Sequence, residues 1–101
     1  MRAFEMAMGN EHFTEIVAAL KKAFESVPEN LRQQFAYQHF LTTLERLNLE
    51  LCLDLLEEIS VDHEPEMPKI FWQNMLEAAH YLRLADNSNY YRRMLRENQQ
   101  G

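Results

Sequence analysis

Leu49-Glu50-Leu51-Cys52-Leu53-Asp54-Leu55-Leu56-Glu57-Glu58-Ile59 is the stretch that decides the fold class. Leu49, Cys52, Leu53, Leu56 and Ile59 recur at steps of 3, 1, 3 and 3, the spacing of one buried helical stripe. Leu51 and Leu55 widen that stripe, which predicts a helix enclosed on two sides. No β-branched residue stands between Thr43 and Ile59, so a strand is disfavoured.

The same periodicity continues in both directions. Upstream, Phe13, Ile16, Val17, Leu20, Phe24 and Val27 form one stripe, predicting a helix over about Glu11–Ser26 with Asn10 as its cap. Ser26 and Glu29 have the spacing of a capping box, with Pro28 in a first turn and Asn30 as the rival cap. A second helix would then start between Val27 and Leu31. It carries Leu31, Phe35, Tyr37, Phe40, Leu41, Leu44 and Leu47, and Asn48 is the one weak break before the third. Downstream, Ser60–Pro68 holds two prolines and three acids, and neither a helix nor a central strand continues through it. Pro68 suits the first position of a fourth helix built on Phe71, Met75, Ala78, Ala79 and Leu82. Asp86-Asn87-Ser88-Asn89 reads as a turn, followed by a short helix over about Ser88–Glu97 that buries Tyr91, Met94 and Leu95.

The expected fold is therefore all-α: one domain over 1–101, a bundle of four to five antiparallel or orthogonally stacked helices. Residues 1–9 and 98–101 are expected to fray. The length supports a single modest core, and 47% hydrophobic with 26% charged residues is the composition of a globular chain. No run near 18 apolar residues suggests a membrane span, the first ten residues do not read as a secretory signal, and Cys52 is alone. A cytoplasmic protein without membrane association is the expectation.

The chemistry-bearing residues argue against an enzyme. Gly9 and Gly101 are the two glycines of the chain, which excludes glycine-built phosphate loops, dinucleotide fingerprints and nucleophile elbows. His12, His39, His63 and His80 are widely separated, with no i,i+4 pair of the kind that holds zinc on a helix. His39 and His80 read as boundary residues of their helices. Asp62-His63-Glu64-Pro65-Glu66 lacks the glycine turn and oxygen spacing of a calcium loop. Cys52 sits on the apolar stripe and reads as a small buried hydrophobe. No catalytic residue, metal or cofactor is expected.

Charge is the informative feature. The net charge is −6, a poor balance for gripping nucleic-acid phosphates. From Glu45 to Glu66 there are eight acids and one base, Arg46; the remainder holds eight acids and nine bases. The acidity thus lies in one helix and the loop after it. Glu50, Asp54, Glu57 and Glu58 stack on one helical face opposite the leucines, and Asp62, Glu64 and Glu66 follow in the loop. An ordinary solvated surface is the bland explanation, but such surfaces usually mix their signs. The sharper one is a docking surface for a basic partner. Arg83, Arg92, Arg93 and Arg96 form the counterweight, either bridging to the acidic helix or standing as a separate patch.

The stretch Leu44–Leu84, LERLNLELCLDLLEEISVDHEPEMPKIFWQNMLEAAHYLRL, resembles the small helical immunity proteins of bacterial polymorphic-toxin and contact-dependent inhibition systems. The shared pattern is a polar turn, a Leu-rich acidic helix, a proline-bearing acidic loop and a helix opening Phe71-Trp72. The resemblance implies a cytoplasmic antidote that binds one cognate toxin domain, frequently a nuclease, and blocks its active site. The partner-binding residues expected from the charge pattern are Glu50, Asp54, Glu57, Glu58, Asp62, Glu64 and Glu66. A second reading is a helical adaptor or transcription-associated regulator that homodimerises through Leu51 and Leu55. Monomer and homodimer both stay open.

Overall fold

The computed structural model of the protein describes residues 11–97, and these form an all-α fold of five helices with no strand. The helices are α1 (Phe13–Ser26), α2 (Phe35–Glu45), α3 (Leu49–Val61), α4 (Lys69–Tyr81) and α5 (Ala85–Glu97). Single 3-10 turns at Glu29–Leu31 and Glu64–Glu66 occupy the connections before α2 and α4. The expected cap Asn10 and the segments 1–9 and 98–101 lie outside the described residues.

α2 and α3 make one helical hairpin, α4 and α5 a second, and α1 packs chiefly along α4. Alanines explain the close approach of α1 and α4: Ala19, Ala23, Ala78 and Ala79 are all buried and keep the backbones near each other. Around them the core is filled by Leu20, Phe40, Leu53, Leu56, Phe71 and Trp72, each fully buried. Full burial of one such side chain contributes about 1.5–3 kcal/mol.

Both hairpins turn without glycine. The α2 end is closed by Leu47 N–H to the Leu44 carbonyl at 2.9 Å and Asn48 N–H to the Thr43 carbonyl at 3.4 Å. The α4 end repeats the pattern, Arg83 N–H to His80 at 3.1 Å and Leu84 N–H to Ala79 at 2.9 Å. These paired bonds define the Schellman motif, whose C′ residue takes a left-handed conformation. Leu47 (φ 58°) and Arg83 (φ 61°) occupy that position here. Asn48 then starts α3 immediately, its side-chain oxygen accepting from Leu51 N–H at 3.2 Å.

α3 carries seven buried residues, in keeping with its expected enclosure. Leu55 is buried within the single chain, whereas Leu51 is 43% exposed, so only one of the two leucines offered as a dimer seam remains available. α2 departs further from expectation. It buries Ala36, Phe40 and Leu44 at i,i+4 steps, centred on the Phe40 ring that stacks on Phe24 at 4.4 Å. Phe35 and Leu41 flank that row and are exposed, Phe35 stacking on the equally exposed His39.

The proposed capping box at Ser26 does not form. Ser26 ends α1 and its hydroxyl donates back to the Ala23 carbonyl at 2.7 Å. Arg32 closes this corner instead, donating to the Val27 and Glu25 carbonyls at 3.1 and 3.3 Å. These are carbonyls at or beside the end of α1, where a cation is electrostatically favoured. At the other end of the chain, α5 begins at Ala85, a turn earlier than expected. The Arg83 turn returns the chain so tightly that the polar Asp86-Asn87-Ser88-Asn89 run is already helical.

A left-handed non-glycine residue costs about 1–2 kcal/mol, partly offset by the entropy that glycine would lose on folding. Arg83→Gly is therefore expected to stabilise the protein by about 0.5–1 kcal/mol, and Arg83→Val to destabilise it, as read from urea unfolding midpoints at unchanged slope.

Candidate protein-binding surface

The outer face of α3 presents Glu50, Leu51, Asp54, Glu58 and Val61 to solvent, continued by Asp62. Among the described residues none of these four carboxylates has a basic group within ion-pair distance. They crowd one another instead. Partial burial, then Glu57, then Glu50 push the Asp54 carboxyl above the usual carboxylate range.

The seven acids singled out in the sequence do not form one continuous stripe. Glu57 lies toward α5, where its Oε1 accepts from the Tyr91 hydroxyl at 2.5 Å and from Asn87 Nδ2 at 3.0 Å. Glu64 accepts from the Tyr90 hydroxyl at 2.5 Å. Glu66 accepts from His63 Nδ1 at 2.7 Å and, at 3.5 Å, from Asn30 Nδ2. The His63 bond holds the Glu66 carboxyl below its ordinary range. Thus Glu50, Asp54, Glu58 and Asp62 remain open, while Glu57, Glu64 and Glu66 are tied to the protein's own side chains.

Tyr91 is wholly buried, and burial together with the Glu57 bond raises its phenol pKa well above the ordinary 10.0. Burial, followed by Glu64, raises that of Tyr90 in the same direction. Folding α5 back on α3 also opens a cleft of about 340 Å³ lined by Glu57, Val61, Glu64, Asp86, Asn87 and Tyr90. Three acids and no base line it. Asp86 is the contributor that sequence reasoning missed: it lies 20 residues beyond the acidic segment, and only the α4–α5 turn brings it there.

The arginines do not neutralise this surface. Arg92 donates to Asn89 at 3.1 Å, and Arg93 lies 3.9 Å from Glu97 of its own helix and 5.5 Å from the Tyr90 ring centroid. The separate-patch alternative is the one the fold adopts. Elsewhere, burial pushes the Cys52 thiol up to about 12, leaving it an unreactive apolar filler. Among the described residues no group of three or more His, Cys, Asp or Glu side chains is placed to hold a metal, and no helix is long and apolar enough to cross a membrane.

No family model, no curated protein and no solved structure matches the chain.

Tyr91→Phe, which strips a partly buried carboxylate of a donor, should cost about 1–3 kcal/mol in urea unfolding, whereas Glu58→Ala should stay within about 0.5 kcal/mol. The wild-type stability that depends on neutral Tyr90 and Tyr91 is fully present below pH 10 and falls as the pH rises beyond it; Tyr91→Phe should flatten that alkaline limb. Asp54→Asn should stabilise at neutral pH by about 0.5 kcal/mol, since Glu50, Glu57 and Glu58 are like-charged neighbours at i±3 or i±4. Because the Asp54 carboxyl is raised, its repulsion is relieved as pH drops through its titration, and the gain from Asp54→Asn should shrink there.

Proposed function

We propose that the protein is a non-enzymatic, protein-binding inhibitor of the immunity type, which neutralises a cognate bacterial toxin domain with a basic active-site surface. The observation that carries this reading is the open row Glu50, Asp54, Glu58 and Asp62, unneutralised although four arginines stand elsewhere on the same small body. Like charges one helical turn apart cost stability, and a folded chain with arginines to spare has an obvious remedy in placing one opposite them. Leaving the row bare makes physical sense where a cation arrives from outside.

A nuclease domain suits that role. It must attract phosphates, so its cleft is positive, and a preformed carboxylate row competes for that field without offering a bond to cleave. Exposed Leu51 and Val61 lie on the same outer face of α3 and give the row an apolar component, as stable interfaces of about 1,200–2,000 Å² require. Glu57, Glu64 and Glu66 support the surface from behind: their hydrogen bonds hold the α3–α4 loop and α5 in place before any partner arrives. Rigid carboxylates lose less entropy on binding than mobile ones.

The test pairs the protein with the toxin domain encoded beside its gene and follows binding calorimetrically as NaCl rises. Affinity should fall at least about tenfold between 50 and 500 mM salt, as screening of exposed charges requires. Combined Glu50→Lys, Asp54→Lys and Glu58→Lys should abolish both binding and protection from the toxin. Leu41→Lys, on the exposed side of α2, should change neither. Salt-insensitive binding that survives the triple reversal would refute the proposed face.

A further inference from the structure

α5 sorts its charges onto two faces. Asp86, Tyr90, Arg93 and Glu97 recur at steps of 4, 3 and 4 on the side of the acidic cleft, and there Arg93 is within ion-pair distance of Glu97. Ala85, Asn89, Arg92 and Arg96 recur at the same steps on the far side, and all four are exposed. Arg92 donates to Asn89 at 3.1 Å and keeps the rest of its fork, while Arg96 has no acid within ion-pair distance among the described residues. A second cleft, of about 330 Å³, opens beside this face, with Arg83 and Arg92 in its lining and no acid.

Tyr91 keeps the two halves of the charge apart. Its bond to Glu57 turns Asp86 and Tyr90 toward α3, so Arg92 and Arg96 point away from Glu50, Asp54, Glu58 and Asp62. One chain thus carries an unpaired acidic row and an unpaired basic face that cannot reach each other, and a second copy supplies to each what it lacks. The spacing agrees. Four residues of helix rise about 6 Å, the step from Arg92 to Arg96 and equally the step between neighbouring carboxylates of the row. Exposed Leu51 and Val61 accompany the row, and half-buried Leu95 lies between the two arginines in the chain, so both sides have an apolar component.

We propose that copies of the protein associate head to tail, the Arg92–Arg96 face of one seated on the Glu50–Asp54–Glu58–Asp62 row of the next. The two faces differ, so the contact is heterologous: each added copy leaves one row and one arginine face open, and growth does not close at two. The association is weak. A net charge of −6 on each copy opposes approach, but that repulsion is largely screened beyond the Debye length, about 10 Å at 0.1 M salt, whereas pairs partly covered by the contact are screened much less. The row is the one assigned above to the toxin, so a docked copy and a toxin exclude each other. Self-association is read with no toxin present and does not depend on the inhibitor reading.

The experiment is sedimentation equilibrium in about 0.1 M NaCl, from about 20 μM to about 1 mM protein, repeated in about 1 M NaCl. In the lower salt the weight-average mass should climb past two copies without a plateau; in the higher it should stay at one. Two variants, checked for fold by circular dichroism, each remove one side: Arg92→Gln/Arg96→Gln, and Glu50→Gln/Asp54→Asn/Glu58→Gln. All five positions are exposed, so both chains keep their core. Each variant alone should associate at least about tenfold more weakly than the wild type. Their equimolar mixture should form one-to-one pairs and stop there, since one chain lacks the basic face and the other the row. A wild type that stays monomeric or halts at the dimer, either variant associating as the wild type does, or a mixture that forms no pairs would overturn the proposal.

Discussion

The hydrogen bond from the Tyr91 hydroxyl to the Glu57 carboxylate joins the second helical hairpin to the first, and much of the molecule's surface chemistry follows from it. It is made by a fully buried phenol, with Asn87 donating to the same oxygen, so α5 has one rotational setting against α3. That setting turns Tyr90 toward Glu64 and places Asp86 in the acidic cleft. It also sends Ala85, Ser88 and Arg92 to the far side of the helix. One buried tyrosine thereby determines which charges of α5 meet the acids and which do not. Hydrogen bonds to an ionised partner are among the strong ones, and losing this one inside a packed seam leaves the carboxylate with Asn87 as its remaining side-chain donor.

The resulting body is electrostatically two-sided. Acids crowd the outer face of α3 and the cleft beside it, while arginines stand on α5 without crossing to them. Asp54 reports the strain on the acidic side, its carboxyl raised by partial burial and by two like-charged neighbours. Folding tolerates this because the opposite face of α3 is deeply buried: Cys52, Leu53, Leu56 and Ile59 are all inaccessible, and their burial outweighs a few tenths of a kcal/mol of surface repulsion per pair. A helix so firmly seated can present an unfavourable charge pattern outward.

How much of this was legible in the chain depends on the range of the interaction. The apolar stripes of α1, α3 and α4 are local, and their periodicity located each helix to within two residues or so. α2 was legible as a helix but not as a face, because Phe35 and Leu41 are as apolar as the residues it buries. Only the position of Phe24, which stacks on Phe40, selects the row. The start of α5 was misread for a different reason. Asp86-Asn87-Ser88-Asn89 has turn composition, but a left-handed Arg83 had already made the turn, and no local signal marks a non-glycine residue in that conformation. The candidate surface was half legible: Glu50, Asp54, Glu58 and Asp62 stand open as their spacing suggested, while Glu57, Glu64 and Glu66 have partners on other segments.

The amino-acid sequence alone determined the helical class, the breaks around Asn48 and Pro68, the buried side of α3 and the concentration of acid between Glu45 and Glu66, since each follows from neighbours within a turn or two. Tertiary structure decided which acids stay open, which way the arginines face, and where the two clefts lie. Those outcomes hang on Tyr91 finding Glu57 across 34 residues, a pairing set by how two hairpins pack and not by any pattern local to either.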